Sequence, residues 1–271
     1  MSRLRPAGFD GPGPDPLLLT TAIEAVLEAG RIQLSHFRTG VRIDKKGVID
    51  IVTEADVAVE RMFRGLIADR FPAHAVIAEE MGQGGATGAS HEWVFDPIDG
   101  TTNFAHGIPF FCASLALEID GVATVAAIYD PTRRELYTAE RGVGAWLNGE
   151  PLRVSSTTDL IDAVVCTGFP YTIVEERAAP VAIFGRFLGA SRAVRRFGSA
   201  ALDLAYVASG RLDGFYEANL NRWDIAAGAL LVEEAGGMVS AYTGQPFQSR
   251  TGEILASNGH LHEPMREVIV G

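Results

Sequence analysis

The hydrophobic period changes along this chain, and the change limits it to layered folds. From Pro16 to His36, Leu19, Ile23, Val26, Leu27 and Leu34 recur at helical spacing, which predicts an amphipathic helix ending before Gly40. A second helix is expected after Thr53-Glu54-Ala55-Asp56, a capping box, with Val59, Met62, Phe63, Leu66 and Ile67 on one face until Phe71-Pro72 stops it. Strand-length runs follow at Ala75 to Ala78, Trp93 to Phe95, Phe110 to Glu118, Val122 to Tyr129 and Glu135 to Ala139, with Asn148-Gly149 as a tight hairpin turn. Strands at Ala163 to Thr167, Ala193 to Arg196, Gly214 to Glu217 and Gly237 to Ser240 then alternate with helices at Thr172 to Leu188, Ser199 to Ser209 and Asp224 to Ala235. Such interleaving predicts a layered α/β class with mixed α and β elements. The glycine-rich stretch Gly82 to Ser90 is expected to be a mobile loop.

With 271 residues, 47 % apolar and 21 % charged, the chain has material for a sizeable core. Residues 1–14 hold three glycines and three prolines and are expected to form a flexible tail. The polar stretch Ser155 to Asp159 divides an N-terminal half, 15–155, from a C-terminal half, 156–271. A net charge of −11 with only short basic runs, such as Lys45-Lys46 and Arg195-Arg196, argues against a nucleic-acid partner. No apolar run of about 18 residues argues for a membrane span, and the N-terminus has no secretory pattern, so a soluble, cytoplasmic protein is expected. Cys112 and Cys166 lie far apart in apolar surroundings and are expected to be buried thiols.

The densest chemical signal is Asp96-Pro97-Ile98-Asp99-Gly100-Thr101-Thr102-Asn103, directly after the strand Trp93-Val94-Phe95. A strand that ends in a carboxylate, turns through Pro and Gly and enters a helix at Thr101 clusters oxygen ligands and points helix-start N–H groups at one spot. An ordinary acidic turn has the same composition. Further acids stand at strand exits or helix entries: Asp56, the pair Glu79-Glu80, and Asp224 after Trp223. Each alone fits a helix cap, but their convergence in one cleft would imply cations to offset the repulsion. No histidine has zinc spacing, and G-x-S-x-G, the nucleotide P-loop and the dinucleotide fingerprint are absent.

Three stretches, Asp50 to Asp56 (D-I-V-T-E-A-D), Ala78 to His106 (A-E-E to W-V-F-D-P-I-D-G-T-T-N-F-A-H) and Trp223 to Gly228 (W-D-I-A-A-G), resemble the inositol monophosphatase family in their order and spacing. These are magnesium-dependent, lithium-sensitive sugar-phosphate phosphatases. The resemblance runs from about Pro16 to the C-terminus. It implies a five-layer α-β-α-β-α sandwich in which Glu79, Asp96 and the Ile98 carbonyl hold one Mg²⁺, and Asp96, Asp99 and Asp224 a second, with two or three ions per site. The N-terminal half would then carry most metal ligands, and the C-terminal half Asp224 and the substrate contacts. Thr101 paired with Asp56 would position the attacking water, with Glu79 as a further catalytic residue and Gly100 and Thr101 meeting the phosphate. Hydrolysis of a phosphate monoester dianion is so slow uncatalysed that charge neutralisation must dominate, and oxygen-only ligands favour Mg²⁺ over Zn²⁺.

Glu217 matches the family's acid for substrate hydroxyls, and Ser199 and Ala200 match the segment lining the polyol, although Ser199 equally suits a helix N-cap. Lys45 or Lys46 occupies a loop that in the family reaches over the metals. The implied reaction is hydrolysis of a small sugar or polyol phosphate, with myo-inositol 1-phosphate favoured. Fructose 1,6-bisphosphate, histidinol phosphate and 3′(2′),5′-bisphosphate nucleotides are alternatives, as is a regulatory binding role. A homodimer is the family's usual state. Arg222, before Trp223, is read either as a cation at the pocket rim for a second substrate anion or as a solvated loop arginine.

Overall fold

The computed structural model describes residues 15–39, 43–45, 51–169, 173 and 177–271. The expected flexible tail, Lys46 and the side chain of Lys45 lie outside the described residues. Helix α1 (Pro16–His36) starts as expected, with the Asp15 carboxylate accepting from the Leu17 N–H at 2.9 Å. Its buried face is the expected one only in part: Val26 is covered and Leu19 packs against the same core, but Ala22, Ala25, Ala29, Gly30 and Gln33 are covered too, whereas Leu27 and Leu34 are 41 % and 46 % exposed. Close approach selects the small residues, because a Cβ at Gly30 would come within 2.5 Å of the Tyr129 ring. Strands β1 (Ile43–Lys45) and β2 (Ile51–Thr53) form a separate two-stranded antiparallel sheet before α2 (Glu54–Arg70). The buried face of α2, Val59, Phe63 and Ile67, is the expected one.

An eight-stranded sheet comes next, formed by β3 (Ala75–Ala78), β4 (Gly82–Gly85), β5 (His91–Asp99), β6 (Cys112–Ile119), β7 (Val122–Asp130), β8 (Glu135–Glu140), β9 (Gly144–Leu147) and β10 (Glu150–Pro151), in the order β10-β9-β8-β7-β6-β5-β3-β4. The short helix α3 (Thr101–Ala105) follows β5. Asn148 and Gly149, with φ of 50° and 86°, turn β9 into β10 as the Asn-Gly pair predicts. The glycine stretch corrects the loop expectation. Residues Gly82–Gly85 pair antiparallel with β3, giving its backbone partners, and the Arg64 guanidinium bonds the Gly82 carbonyl at 2.5 Å.

A five-stranded sheet, ordered β12-β11-β13-β15-β14, contains β11 (Val164–Thr167), β12 (Ala193–Arg195), β13 (Gly214–Glu217), β14 (Met238–Ser240) and β15 (Ile254–Ser257). Its helices are α4 (Ala178–Ala190), α5 (Ala200–Ala208), α6 (Arg222–Glu234) and α7 (His262–Val270). As described, α4 starts later than the expected Thr172, a position outside the described residues, and α6 starts two residues before Asp224. Strand β15 and helix α7 were not among the expected elements.

The layers follow from what each helix buries. Helices α1 and α2 cover one face of the large sheet through Val26, Phe63, Trp93 and Leu115. Helices α5 and α6 lie between the sheets, with Leu204, Leu230, Ile128 and Phe215 in one core. Helices α4 and α7 cover the outer face of the small sheet through Phe187, Tyr216 and Met265. The result is the α-β-α-β-α sandwich. Cys112 and Cys166 are buried, as expected. Among the described residues no helix is long and apolar enough to cross a membrane.

Candidate active site

Strands β12 and β13 flank β11 on opposite sides, both parallel to it, and the connecting helices α4 and α5 lie on opposite faces of the sheet. In such a sheet a crevice opens beyond the carboxyl ends of the strands where the order reverses, here beyond Thr167 and Glu217. A cleft of about 110 Å³ lies there, lined by Asp99, Thr101, Ser199, Glu217 and Asp224 among others, where α3, α5 and α6 begin.

The β5 turn builds one wall. The register of β5 against β6 shifts between Asp96 and Asp99, a bulge that Pro97, lacking an N–H, accommodates. Asp96 folds back on this turn, its Oδ1 accepting from the Ile98 N–H at 2.9 Å. Gln33 of α1, which the sequence did not single out, donates to the Pro97 carbonyl at 2.7 Å and pins the turn from behind. Gly100 has φ 95°, and a Cβ there would come within 2.9 Å of the Phe110 carbonyl oxygen, so both conformation and space call for glycine before α3. Asp99 Oδ2 accepts from the Ser199 hydroxyl and the Ala201 N–H, each at 2.7 Å, joining the two halves of the site. Ser199 is also the N-cap of α5, accepting from the Leu202 N–H, and it lines the cleft. Ala200 begins α5 on the cleft wall.

The remaining acids close around Asp96. Asp56 sits in the first turn of α2, its Oδ2 accepting from the Thr53 N–H at 2.8 Å and the Thr53 hydroxyl at 2.6 Å. Its Oδ1 is buried with no partner. The expected Thr101–Asp56 pairing is therefore not made; the Thr101 hydroxyl donates instead to the Ile98 carbonyl, three residues back, at 2.9 Å. Glu79 follows β3, and the buried carboxylate of Glu60, a residue the sequence reading passed over, accepts from the N–H groups of Glu80 and Met81 and so fixes this turn. Asp224 lies in the first turn of α6 and accepts from the Asn221 N–H at 2.7 Å.

Burial first, and then the charges of Glu79, Asp99, Asp224 and Asp56, push the Asp96 carboxyl well above the usual carboxylate range. Burial likewise raises Asp224 well above that range, Asp56 to about 7, Asp99 to about 6 and Glu217 to about 8. Asp203 of α5 also lines the cleft, 1 % exposed, with Oδ1 unpartnered. Its place in the middle of an apolar helix run gave no sign of this role.

Arg222 corrects both expectations for it. Its guanidinium donates to Glu92 at 2.8 Å and to Glu118 at 2.5 Å, and Arg250 bonds the same Glu92 at 2.8 Å. The side chain is 11 % exposed and lies at the start of α6, so it is neither at the pocket rim nor in a solvated loop. The nearly buried Glu118 carboxylate needs a cation, and Arg222 supplies it.

A cyanobacterial protein named inositol-1-monophosphatase, from a Synechocystis species, is 44 % identical over 252 residues, covering 93 % of this chain and 88 % of that protein. An Escherichia coli protein named Nus factor SuhB is 44 % identical over 250 residues, covering 92 % of this chain and 94 % of its own. The structure of inositol monophosphatase from Anabaena (Nostoc) superposes with a TM-score of 0.86 at 40 % identity, covering 94 % of this chain and 95 % of that one. Fold, cleft and relatives together define a phosphatase that hydrolyses phosphate monoesters. The chain belongs to the inositol monophosphatase family, which its residues 16–270 match.

That family is metal-dependent, and the donors here suit hard divalent cations. The groups that could hold one are carboxylates and a backbone carbonyl, all oxygen. Among the described residues no three His, Cys, Asp or Glu side chains come together in a group that could hold a metal ion, so the match is one of donor chemistry.

Proposed function

We propose that the cleft hydrolyses a small polyol monophosphate, with myo-inositol 1-phosphate as substrate, in a magnesium-dependent reaction. The observation that carries this reading is the gathering of acids at one place: Asp99 and Asp224 line the cleft where α3, α5 and α6 begin, and their charges, with those of Glu79 and the buried Asp56, act on the buried Asp96. Glu79, Asp96 and the Ile98 carbonyl would hold one Mg²⁺, and Asp96, Asp99 and Asp224 a second. When bound, these ions would neutralise the phosphoryl oxygens and the leaving alkoxide and make a water more acidic.

The chain's own residues do the rest. Gly100 and Thr101 present helix-start N–H groups to a phosphoryl oxygen. The unpartnered Oδ1 of Asp56, with Thr101 and Glu79, accepts from and orients the attacking water. Glu217 hydrogen-bonds substrate hydroxyls, while Ser199, whose hydroxyl is committed to Asp99, and Ala200 shape the polyol wall. Inhibition by lithium, a cytoplasmic location and a homodimer accompany this reading as family expectations.

The added argument that Arg222 gave for fructose 1,6-bisphosphate falls, because Arg222 is held by Glu92 and Glu118, and that substrate keeps only the family resemblance. A phosphate-release screen with Mg²⁺ over inositol 1-phosphate, fructose 1,6-bisphosphate, histidinol phosphate and 3′-phosphoadenosine 5′-phosphate tests the assignment. The highest kcat/KM is expected on inositol 1-phosphate, and a higher value on any other compound would replace that substrate. The name Nus factor on the E. coli relative supports a second reading, an added regulatory binding role compatible with the first.

A further inference from the structure

Glu217 stands between two spaces. Its carboxyl rests on the backbone of Gly168, where a Cβ would come within 2.1 Å of Oε2 and 2.2 Å of Oε1, so only glycine at 168 leaves room for it. On one side lies the polar cleft. On the other, beyond the carboxyl ends of β11 and β13, a cavity of about 290 Å³ is walled by Ala179, Pro180 and Ile183 of α4 and by Tyr216 and Tyr242. Gly168, Glu217 and Asn219 line both spaces. The crevice at the strand-order reversal thus has a polar lobe and an apolar lobe that share a partition one side chain thick.

We propose that the apolar lobe is a second substrate subsite, taking an aromatic group joined to the polyol of the phosphate ester; this rests on the phosphatase reading of the polar lobe. The size suits one ring system, at the small end of ligand pockets of about 300 to 1,000 Å³. Two tyrosine rings and a proline offer flat apolar contacts that favour an aromatic group. Because Glu217 touches both lobes, a polyol hydrogen-bonded to it from the cleft has its far end at the mouth of the cavity.

A matched pair of esters tests this: glucose 6-phosphate and phenyl β-D-glucopyranoside 6-phosphate, which differ only in the phenyl group at the end opposite the phosphate. The wild type is expected to favour the phenyl compound about tenfold in kcat/KM, the worth of burying part of a ring. Ala179→Phe, which fills the cavity from its exposed edge, and Ile183→Trp are each expected to bring that ratio near one while glucose 6-phosphate changes less than about twofold. A wild-type ratio near one, or variants that lower both esters equally, would overturn the subsite. Inositol 1-phosphate in the same assay separates the two readings. Its turnover alongside a ratio near one, or without hydrolysis of either glucose ester, removes only the subsite, whereas no turnover of any ester removes the reading of the cleft as well.

Discussion

A guanidinium near a phosphate site can meet a substrate anion or hold the protein's own carboxylates, and Arg222 does the second. Arg222→Ala strips the cation from Glu118, which is 1 % exposed, so a loss of about 3 to 5 kcal/mol in denaturant unfolding is expected. Its effects on inositol 1-phosphate and fructose 1,6-bisphosphate should be equal; a selective loss on the bisphosphate would restore Arg222 to the substrate.

Glu217 yields a pH prediction. Burial raises its carboxyl from 4.5 to about 8, so between those values the folded protein binds more protons than the unfolded chain. Stability of the metal-free protein therefore falls as pH rises through that window, by roughly 1.4 kcal/mol per unit for this group, and Glu217→Gln should flatten the slope. The same variant should raise KM more than it lowers kcat, because a hydroxyl contact acts already in the ground state. Gly168→Ala should copy that KM effect by pushing the carboxyl aside, and an unchanged KM would mean that Glu217 does not need its place on Gly168.

At the scale of elements, α5 and α6 carry Ser199 and Asp224 to the cleft and cross at Gly228, where a Cβ would come within 2.5 Å of Leu204 Cβ. Gly228→Ala is expected to cost about 1 to 3 kcal/mol by wedging the helices apart, read as a lower denaturation midpoint with a fall in kcat/KM. An unchanged midpoint would show that the contact relaxes freely. Elements with a strong local signature were legible in the sequence: α2 through its capping box, the β9–β10 turn through Asn148-Gly149, and β13 through its apolar run. The buried face of α1 was legible only at Val26, because large apolar residues drew the expectation while the sheet's approach required Ala25, Ala29 and Gly30. Nor was β4, whose glycines have no strand preference and are ordered by the edge of β3.

For the whole molecule, the layered class followed from interleaved periods, and the acids at strand exits and helix entries were visible as Asp96, Asp99 and Asp224. What holds them was not visible. Gln33 reaches Pro97, Glu60 grips the turn after Glu79, and Asp203 joins the cleft across distances that only the packed layers close. Asp96 stands at the centre of the site, the acid on which the charges of Glu79, Asp99, Asp224 and Asp56 all act. The direct test is Mg²⁺ titration of wild type and Asp96→Asn, by calorimetry and by phosphate release from inositol 1-phosphate. The wild type should bind Mg²⁺ and turn over in step with it, whereas Asp96→Asn, still folded by circular dichroism, should lose tight Mg²⁺ binding and at least a hundredfold in kcat, about 2.7 kcal/mol of transition-state stabilisation. A folded Asp96→Asn protein that binds Mg²⁺ and hydrolyses inositol 1-phosphate like the wild type would contradict it.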